Sequence, residues 1–568
     1  MATATAQAKN VAAMRTRAEV TPEKLRGGYY TSPALVEFCL ERASPLLAEE
    51  TAISMLEPCA GDGAFVRGVA RTRSGIGGRV SNIHAIEIIP EEAAKVELSL
   101  RSTGLPGRVE RGSVLRWAAE TDELFGLVVG NPPFVRYQFV PETDKIAIGR
   151  LGVRLGLTFG GVANLWIPVL LGALARLRPN GALALVLPTE CFTGTSARVV
   201  REWLTREIDD LSFDLFPPGS FPDVLQEVAV VSGRRSPESK EESSDVRIVE
   251  HGSGGTNRAW FYRPMPGERS WTRSLLDPSH LEAVNVACSL STVARLEEVA
   301  RLEVSIVTGA NDFFCLDDES VSHHGLQPWA RPLLARARHS PGLVFRPADH
   351  AVARAMGANA WLLDFDALAP DPEDFPHARS YLDTGVQRGL PDRYKCRIRE
   401  PWYRVPSIRT GSLMLSKRSH MYPRLLMNRA RAYTTDTIYR GDVLAKGAVS
   451  GTDLVAGFHC SLTLLMAELE GRSFGGGVLE LVPSEISRLA IVIAPGLGKQ
   501  LPSLDRVARS QEPEDLVFET DSLLATNRLL PGDLLGVLAE ARCALMNRRL
   551  QRNPGGESPA DAWDARAA

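Results

Sequence analysis

The chain has 568 residues, which is enough for two to four domains with separate hydrophobic cores. Its hydrophobic content of 44% and charged content of 23% are those of an ordinary soluble protein, and the net charge of −3 does not by itself indicate a nucleic-acid-binding protein. The eight cysteines include no CxxC pair, which argues against a zinc site or a disulfide framework and favours a reducing cytosol. We therefore expect no metal site.

Residues 1–26 are polar and Ala-rich, without the apolar centre of a signal peptide, and we expect them to be disordered. The longest apolar run, Leu165 to Ala175, is too short to span a bilayer and is followed by Arg176. The sequence therefore predicts no membrane segment and a location in the cytoplasm.

The first predicted helix follows the segment from Gly27 to Pro33. Thr31 or Ser32 is placed to cap this helix, and Pro33 suits its first turn. Apolar residues recur with helical spacing at Leu35, Val36, Phe38, Cys39 and Leu40.

The segment from Ile53 to Val66 predicts a strand, a tight glycine loop and a helix. Gly61 and Gly63 let a ligand approach the backbone, and the helix that follows presents free N–H groups. The spacing differs from the GxGxxG fingerprint of dinucleotide-binding proteins. This pattern favours a nucleotide-type ligand site, although glycine turns of this kind also occur for purely structural reasons.

A second apolar strand begins at Ile83 and ends in Glu87. A carboxylate at the end of the second strand of a doubly wound sheet is placed to accept both ribose hydroxyls of a nucleotide ligand. The alternative is a solvated glutamate at a strand end. The order and distance of the neighbouring motifs favour the ligand-binding role.

The stretch from Leu127 to Phe134 predicts a buried strand with a rigid polar end. Gly130 lets the backbone turn, and two prolines stiffen the segment after the strand. The side-chain carbonyl of Asn131 and the backbone carbonyl of Pro132 offer two neighbouring acceptors, as an amino group requires. Phe134 supplies a face on which an aromatic base can stack.

This Asn-Pro-Pro-Phe motif resembles the catalytic motif of S-adenosylmethionine-dependent amino methyltransferases, above all the gamma-group DNA adenine-N6 methyltransferases. The resemblance covers most of the chain from about Gly27 to Leu550. It implies an α/β fold, in which a Rossmann-like class I methyltransferase sheet with helices on both faces is followed by a mixed α+β target-recognition domain. The implied activity is methyl transfer from S-adenosylmethionine to adenine N6 in a specific double-stranded DNA sequence, after the base is flipped out of the duplex.

The resemblance also implies roles for individual residues. The implied catalytic residues are Asn131, Pro132, Pro133 and Phe134, and Phe221 is expected to pack against the target base opposite Phe134. The implied cofactor-binding residues are Thr31, Glu57, Pro58, Cys59, Gly61, Gly63, Glu87, Ile88, Ser113, Val114 and Asn131. Ser113 stands where the family commonly has an aspartate that binds the cofactor's adenine, and a serine is a weaker acceptor. A buried hairpin residue is the competing interpretation of Phe221.

Domain boundaries are predicted from composition. We expect a catalytic domain over residues 27–235, a linker over 236–258, a target-recognition domain over 259–550 and a disordered tail over 551–568. The linker prediction depends on two polar segments, SPESKEESSD and HGSGGTN. Residues 141–161, rich in Gly and Arg, predict a long loop beside the catalytic motif that helps to hold DNA.

The window from Arg388 to Arg440 concentrates positive charge. It contains thirteen Lys and Arg residues against three Asp and Glu residues, and is formally +10. Such a cluster with interleaved aromatics is typical of phosphate neutralisation, and a solvated basic face is the alternative. The predicted DNA-binding residues are Arg388, Arg393, Lys395, Arg397, Arg399, Trp402, Tyr403, Arg404, Arg409, Lys417 and Arg418.

Two other functions remain open at this point. Protein glutamine-N5 methyltransferases also use an Asn-Pro-Pro motif, but the basic C-terminal half has no use in such an enzyme. A catalytically inactive DNA-binding protein is the other alternative, which Ser113 keeps open. About 26 residues precede the first methyltransferase element and no acidic nuclease cluster stands out. We therefore expect a stand-alone modification enzyme of the bacterial cytoplasm, nucleoid-associated when on DNA, with a separately encoded restriction endonuclease as its functional partner.

Overall fold

The computed structural model describes residues 31–72, 75–135, 140–159, 164–217, 220, 228–252, 257–265, 267–365, 370–406, 408–444, 449–474 and 477–550. The chain divides into two compact units, Met1–Ser274 and Leu275–Ala568. None of the helices in these ranges has the length and apolar character that crossing a bilayer requires. The predictions of disorder for residues 1–26 and 551–568 lie outside the described residues.

The first unit contains a nine-stranded sheet in the order β3-β2-β1-β4-β5-β7-β6-β8-β9. Its strands are β1 Ile53–Glu57, β2 Val80–Glu87, β3 Gly107–Arg111, β4 Phe125–Gly130, β5 Leu177–Pro188, β6 Ile208–Leu215, β7 Val228–Arg235, β8 Val246–His251 and β9 Asn257–Tyr262. Strands β3, β2, β1, β4 and β5 are parallel to one another, while β7 runs antiparallel to β5 and β6. The predicted Rossmann-like class I methyltransferase fold is confirmed.

The helices of this unit are α1 Pro33–Ala43, α2 Ala64–Arg71, α3 Pro90–Thr103, α4 Val114–Glu120, α5 Glu142–Leu155, α6 Trp166–Leu174, α7 Glu190–Thr193 and α8 Arg198–Glu207. Helices α1, α2 and α3 share one core cluster with alternate residues of the strands, such as Leu127 and Val129 on β4. Val128 between them is also fully buried, and alternation places it on the opposite face. Strand β4 is therefore covered on both faces, as its apolar sequence predicts.

The sheet does not end near residue 235, so the predicted linker over residues 236–258 is wrong in part. Strand β8 pairs in parallel with β6, and β9 pairs antiparallel with β8. Val246, Ile248 and Trp260 are buried, so this pair of strands belongs to the core of the first unit. Two short strands flanked by polar segments carry too few apolar residues for composition to separate them from a linker.

The predicted loop over residues 141–161 is also wrong for most of its length, because α5 occupies residues Glu142–Leu155. Ala147, Ile148 and Leu151 are buried at helical spacing, and α5 packs against α4 and α6. Its glycines suggested a loop, but the apolar stripe outweighs their cost.

The second unit is mixed α+β, as predicted. Its strands form sheets with the orders β11-β20-β16-β18-β14, β12-β15-β13-β19, β17-β22-β21 and β10-β23. The strands are β10 Val293–Arg295, β11 Ala300–Glu303, β12 Cys315–Leu316, β13 Ala330–Leu334, β14 Val344–Phe345, β15 Trp361–Leu363, β16 Leu413–Ser416, β17 Arg418–Ser419, β18 Leu425–Asn428, β19 Tyr433–Thr434, β20 Ile438–Val443, β21 Arg472–Phe474, β22 Val478–Glu480 and β23 Ala490–Val492.

The helices of the second unit are α9 Pro278–Ser289, α10 Leu296–Val299, α11 Asn311–Phe314, α12 Asp318–His323, α13 Pro347–Ala355, α14 Pro376–Gln387, α15 Tyr394–Arg397, α16 Gly451–Phe458, α17 Ser461–Glu470, α18 Pro483–Ile486, α19 Leu501–Ser510, α20 Pro513–Thr526 and α21 Gly532–Leu550. The largest core cluster of this unit contains α16 and α17 together with residues of α19, α20 and α21. A separate aromatic cluster lies around Phe313, Trp329 and Tyr381.

Candidate functional site

The sheet brings three polar side chains together at one edge, the edge formed by the carboxyl ends of its parallel strands. Strands β2, β1 and β4 are parallel neighbours and end at Glu87, Glu57 and Gly130, immediately before Asn131. The chain proceeds from β1 to β2 on one side and later returns to β4 on the other side of β1. Ligands of open α/β sheets bind at the carboxyl ends of the strands where the strand order reverses in this way.

Glu87 connects the turns that surround this edge. Its Oε2 accepts from the backbone N–H of Gly61 at 2.8 Å, and its Oε1 accepts from that of Ile89 at 2.8 Å. Its backbone carbonyl accepts from the N–H of Gly112 at 3.0 Å. Burial raises the pKa of Glu87, and hydrogen bonds from backbone N–H groups act in the opposite direction. Each carboxylate oxygen can accept a second hydrogen bond, so Glu87 can hold two ligand hydroxyls.

Glu57 is a buried acidic residue whose carboxyl group is only partly compensated by its surroundings. Its side chain is 1% exposed, and its Oε2 has no hydrogen-bond partner among the described residues. Burial raises its pKa well above the ordinary value, and the carboxylates of Asp62 and Glu87 add to this effect. A cationic ligand group would favour the charged form of Glu57. Among the residues that the structure describes, no cluster of His, Cys, Asp and Glu is arranged to hold a metal ion.

The glycine loop gives the ligand room. Gly61 has a φ of +52°, and a Cβ built on it would meet nothing within 4 Å, so its exposed side faces open space. Gly63 has a φ of +84° and directly precedes α2, and a Cβ there would lie 3.1 Å from the Ser99 hydroxyl. Gly61 therefore leaves the cradle open, whereas Gly63 lets α2 and α3 approach each other.

Asn131 lies at the end of β4 with one half of its amide unsatisfied. Its Nδ2 donates to the hydroxyl of Thr31 at 3.3 Å. Its Oδ1 is buried and has no hydrogen-bond partner among the described residues. A buried acceptor without a donor costs about 1–3 kcal/mol, so a ligand with a donor at this point would remove that cost.

The residues that follow Asn131 contact the core of the first unit and the start of α6. Pro132 is buried, and Phe134 is half-buried and packs against the core cluster of α1 and α2. Beyond it, the carbonyl of Val135 accepts from the N–H of Leu165 at 2.7 Å, which ties the motif to the start of α6. Phe221, the expected second stacking residue, lies outside the described residues.

The other predicted cofactor residues surround the same edge. Ile88 is 55% exposed, which is unusual for an isoleucine at a buried strand end and suits contact with a ligand ring. Ser113 is buried and precedes α4, but its hydroxyl does not cap that helix. Val114 and Pro58 are buried, and burial raises the pKa of Cys59, so its thiol stays protonated.

The predicted DNA-binding residues divide into groups. Arg399 donates to two backbone carbonyls at 2.7 and 2.8 Å, and Arg404 donates to one at 3.2 Å. Tyr403 is buried, and Trp402 packs against the same aromatic core. These four side chains support the fold of the second unit in addition to any contact they make with DNA.

Ion pairs involve five further members of the predicted set. The pairs are Arg388 and Arg393 with Asp312, Arg409 with Glu303, and Lys417 and Arg418 with Glu480. Lys395 and Arg397 are exposed on the short helix α15. Tyr394 on that helix is 65% exposed, and the Lys395 ammonium lies 5.5 Å from its ring centre. Helix α15 therefore presents two cations and an aromatic ring together.

Sequence reasoning missed three contacts at the site. Gly112 and Ile89 bind Glu87 through backbone N–H groups, which any residue type except proline provides. The contact between Thr31 and Asn131 joins positions 100 residues apart. No local spacing in the sequence predicts such contacts.

Comparison with known proteins finds similarity to type II methyltransferases. Residues 268–525 match the family model of the C-terminal domain of the type II methyltransferase M.Eco57I. The type II methyltransferase M.AccI of Acinetobacter calcoaceticus is 19% identical over 392 residues, which are 66% of this chain and 70% of that protein. Most of the second unit is thus similar to the C-terminal domain of the type II methyltransferase M.Eco57I.

Solved structures of restriction and modification enzymes are also similar. The type IIG restriction endonuclease BpuSI matches with 14% identity and a TM-score of 0.42, over 93% of this chain and 66% of that one. The DrdV–DNA complex matches with 13% identity and a TM-score of 0.47, over 86% and 57%. A type I methyltransferase subunit from Streptococcus thermophilus matches with 15% identity and a TM-score of 0.30, over 39% and 47%. This chain spans about two thirds or less of the length of these three proteins.

Glu57→Gln should stabilise the protein without ligand at neutral and alkaline pH. The folded-state pKa of Glu57 lies above its unfolded value, so wild type loses stability as pH rises from about 4.3 through the folded pKa. The variant has no such titration. Urea unfolding at several pH values should therefore show a larger advantage for the variant at pH 8 than near pH 4. Glu49→Gln, at an exposed position, is the matched control. Equal profiles of stability against pH for all three proteins would contradict a raised pKa for Glu57.

Proposed function

We propose that this chain is a DNA adenine-N6 methyltransferase of the gamma group that uses S-adenosylmethionine. The observation that carries the proposal is the buried, unpartnered Oδ1 of Asn131 beside Pro132, at the sheet edge that also carries Glu57 and Glu87. An exocyclic amino group is a ligand that supplies donors alone. The match of the second unit to a type II methyltransferase domain supports duplex DNA as the substrate.

The residues at the edge fit S-adenosylmethionine. Glu87 would accept the two ribose hydroxyls with the lone pairs that Gly61 and Ile89 leave free. Glu57 would neutralise a cationic group of the methionine portion, which would also satisfy its orphaned Oε2. Ile88 and Ser113 would contact the adenine ring by packing and by a hydrogen bond. When bound, this cofactor supplies an electrophilic methyl group on a sulfonium ion.

Asn131 and Pro132 would prepare the target nitrogen. Adenine inside a stacked duplex cannot reach this edge, so the base must first be flipped out. The two carbonyl oxygens would then accept both protons of its amino group, which makes the nitrogen lone pair available for direct attack on the methyl group. As the methyl group passes to the nitrogen, its bond to sulfur would break and leave a neutral thioether, so positive charge would develop on the nitrogen and both hydrogen bonds would strengthen. The methylated nitrogen would then release one proton to solvent. Phe134 would hold the base by stacking, and Phe221 is proposed as its partner.

The second unit would bind the duplex. Lys395 and Arg397 are the strongest candidates for phosphate contacts, because both are exposed on α15. Arg399 and Arg404 are weaker candidates, because their guanidinium groups already bind backbone carbonyls. In the cell, this activity would protect DNA in a restriction-modification system of the bacterial cytoplasm, alongside a separately encoded restriction endonuclease.

Asn131→Ala should reduce the rate of methyl transfer roughly 10²–10³-fold, which corresponds to about 3–4 kcal/mol of lost transition-state stabilisation. Sequencing of modified bases in DNA from a host that expresses the wild type first identifies the base and the site. Single-turnover rates on that site are then compared. Affinity for S-adenosylmethionine, measured by calorimetry, should change far less, and a wild-type rate in the variant would refute the catalytic role.

Glu87→Ala should weaken S-adenosylmethionine binding by one to two orders of magnitude, on the order of 1.5–3 kcal/mol for a lost charged acceptor. Calorimetric titration measures this affinity directly. Glu91→Ala removes the same charge from an exposed position in the first turn of α3 and is the matched control. Equal affinity in the Glu87 and Glu91 variants would show that the ribose is bound elsewhere.

The double substitution Lys395→Glu and Arg397→Glu should weaken duplex binding and reduce the slope of log affinity against log salt by about two, because each phosphate contact contributes about 0.9. Anisotropy over a salt series measures both quantities. Arg506→Glu, at an exposed position outside the basic window, serves as the control. If the double variant and the control give the same slope as wild type, α15 is not part of the DNA interface.

A further inference from the structure

Thr31 contacts the reacting end of the site directly. Its hydroxyl oxygen lies 3.3 Å from Nδ2 of Asn131 and accepts a hydrogen bond from it. Thr31 is 9% exposed, so water has little access to compete for this contact. The other half of the same amide, Oδ1, is the buried acceptor without a partner among the described residues.

The position of Thr31 is fixed by a capped and buried helix. The hydroxyl of the next residue, Ser32, accepts from the N–H of Leu35 at 3.4 Å, and Pro33 occupies the first turn of α1. Leu35 and Val36 are fully buried, and α1 packs against β4, β5 and β7. The helix therefore holds the Thr31 hydroxyl at a constant place relative to the end of β4.

We infer that Thr31 is a positioning residue that orients the amide of Asn131 so that its carbonyl faces the target amino group; this inference rests on the proposed function. A terminal amide can present either its carbonyl or its NH₂ group, and only the carbonyl can accept from a donor-only amino group. A hydroxyl can also donate, so the flipped amide would bind Thr31 through Oδ1, but its NH₂ group would then face the donor protons of the target. With the target bound, the Thr31 hydroxyl therefore stabilises the orientation in which it accepts from Nδ2. Donation by the NH₂ group also polarises the amide and makes Oδ1 a stronger acceptor.

This role differs from the one that family resemblance implies for Thr31, which is contact with the methionine portion of the cofactor. A residue that binds the cofactor governs affinity for S-adenosylmethionine. A residue that orients Asn131 governs the rate of the chemical step when cofactor and DNA are saturating, and leaves cofactor affinity nearly unchanged. The two roles therefore predict different effects when the Thr31 hydroxyl is removed. Loss of a cofactor contact weakens binding of S-adenosylmethionine, whereas loss of the contact with Asn131 slows the chemical step.

The test compares Thr31→Val, which keeps the shape and removes the hydroxyl, with Thr31→Ser, which keeps the hydroxyl. Thr31→Val should slow single-turnover methylation about tenfold, as expected for the loss of one hydrogen bond. Thr31→Ser should restore most of the rate. Ser32→Ala, which removes the neighbouring cap hydroxyl, controls for loss of stability in α1, which thermal unfolding reports.

A spectroscopic measurement reads the contact without activity. In protein labelled with ¹⁵N-asparagine, the side-chain amide signals of Asn131 are identified by their absence in Asn131→Ala. Thr31→Val should shift these signals, whereas Thr31→Ser should shift them much less. In the Asn131→Ala background, Thr31→Val should cause no further loss of rate, because its effect acts through the amide.

The inference is overturned if Thr31→Val keeps the wild-type rate and amide signals, or if the main effect is weaker binding of S-adenosylmethionine in calorimetry. The second outcome would restore the cofactor-binding role. If the wild type methylates no adenine in DNA while the amide signals still respond to Thr31→Val, the proposed function fails and the positioning of Asn131 stands.

Discussion

The candidate site depends on the hydrogen bonds that Glu87 accepts from three neighbouring turns. Its two oxygens hold the turns at Gly61 and Ile89, and its backbone carbonyl holds Gly112. Three connections that leave three different strands are therefore fixed by one residue at the end of β2. Such turns have no regular hydrogen-bonding pattern of their own, so without this residue their backbone donors would need water or other partners. The cradle thus has internal hydrogen bonds that do not depend on a ligand.

Three carboxyl groups, those of Glu57, Asp62 and Glu87, lie close enough at the same edge to affect one another. Glu57 is fully enclosed, and the nearby Asp62 and Glu87 carboxylates raise its pKa further, while Arg67 offsets only part of this effect. Asp62 itself pairs with Arg67 at 2.7 Å. A buried carboxyl group in this setting either stays protonated or waits for a cation. Since the proposed cofactor carries positive charge, its binding would relieve a cost that folding alone leaves in place.

Much of this arrangement could be predicted from the sequence, because strand ends in a doubly wound sheet have strong local signals. The apolar runs before Glu87 and Asn131 predicted correctly that each of these residues lies at the end of a buried strand. Helix α5 and strands β8 and β9 were missed, because their glycine and polar content imitates loops while burial decides their structure. Counting charges also could not separate Arg397, which is exposed, from Arg399, whose guanidinium binds backbone carbonyls inside the unit.

The unsatisfied carbonyl of Asn131 explains why the motif lies at the end of a strand rather than within it. Inside a parallel strand, neighbouring backbone and packed side chains would cover an amide of this size. Just after Gly130, the backbone turns away from the sheet, and the two prolines keep it from folding back into a helix. Under the proposed function, a donor on the target base would remove the cost of this buried acceptor. Part of the binding energy of the proposed target base would then go into the hydrogen bond that strengthens as the reaction proceeds.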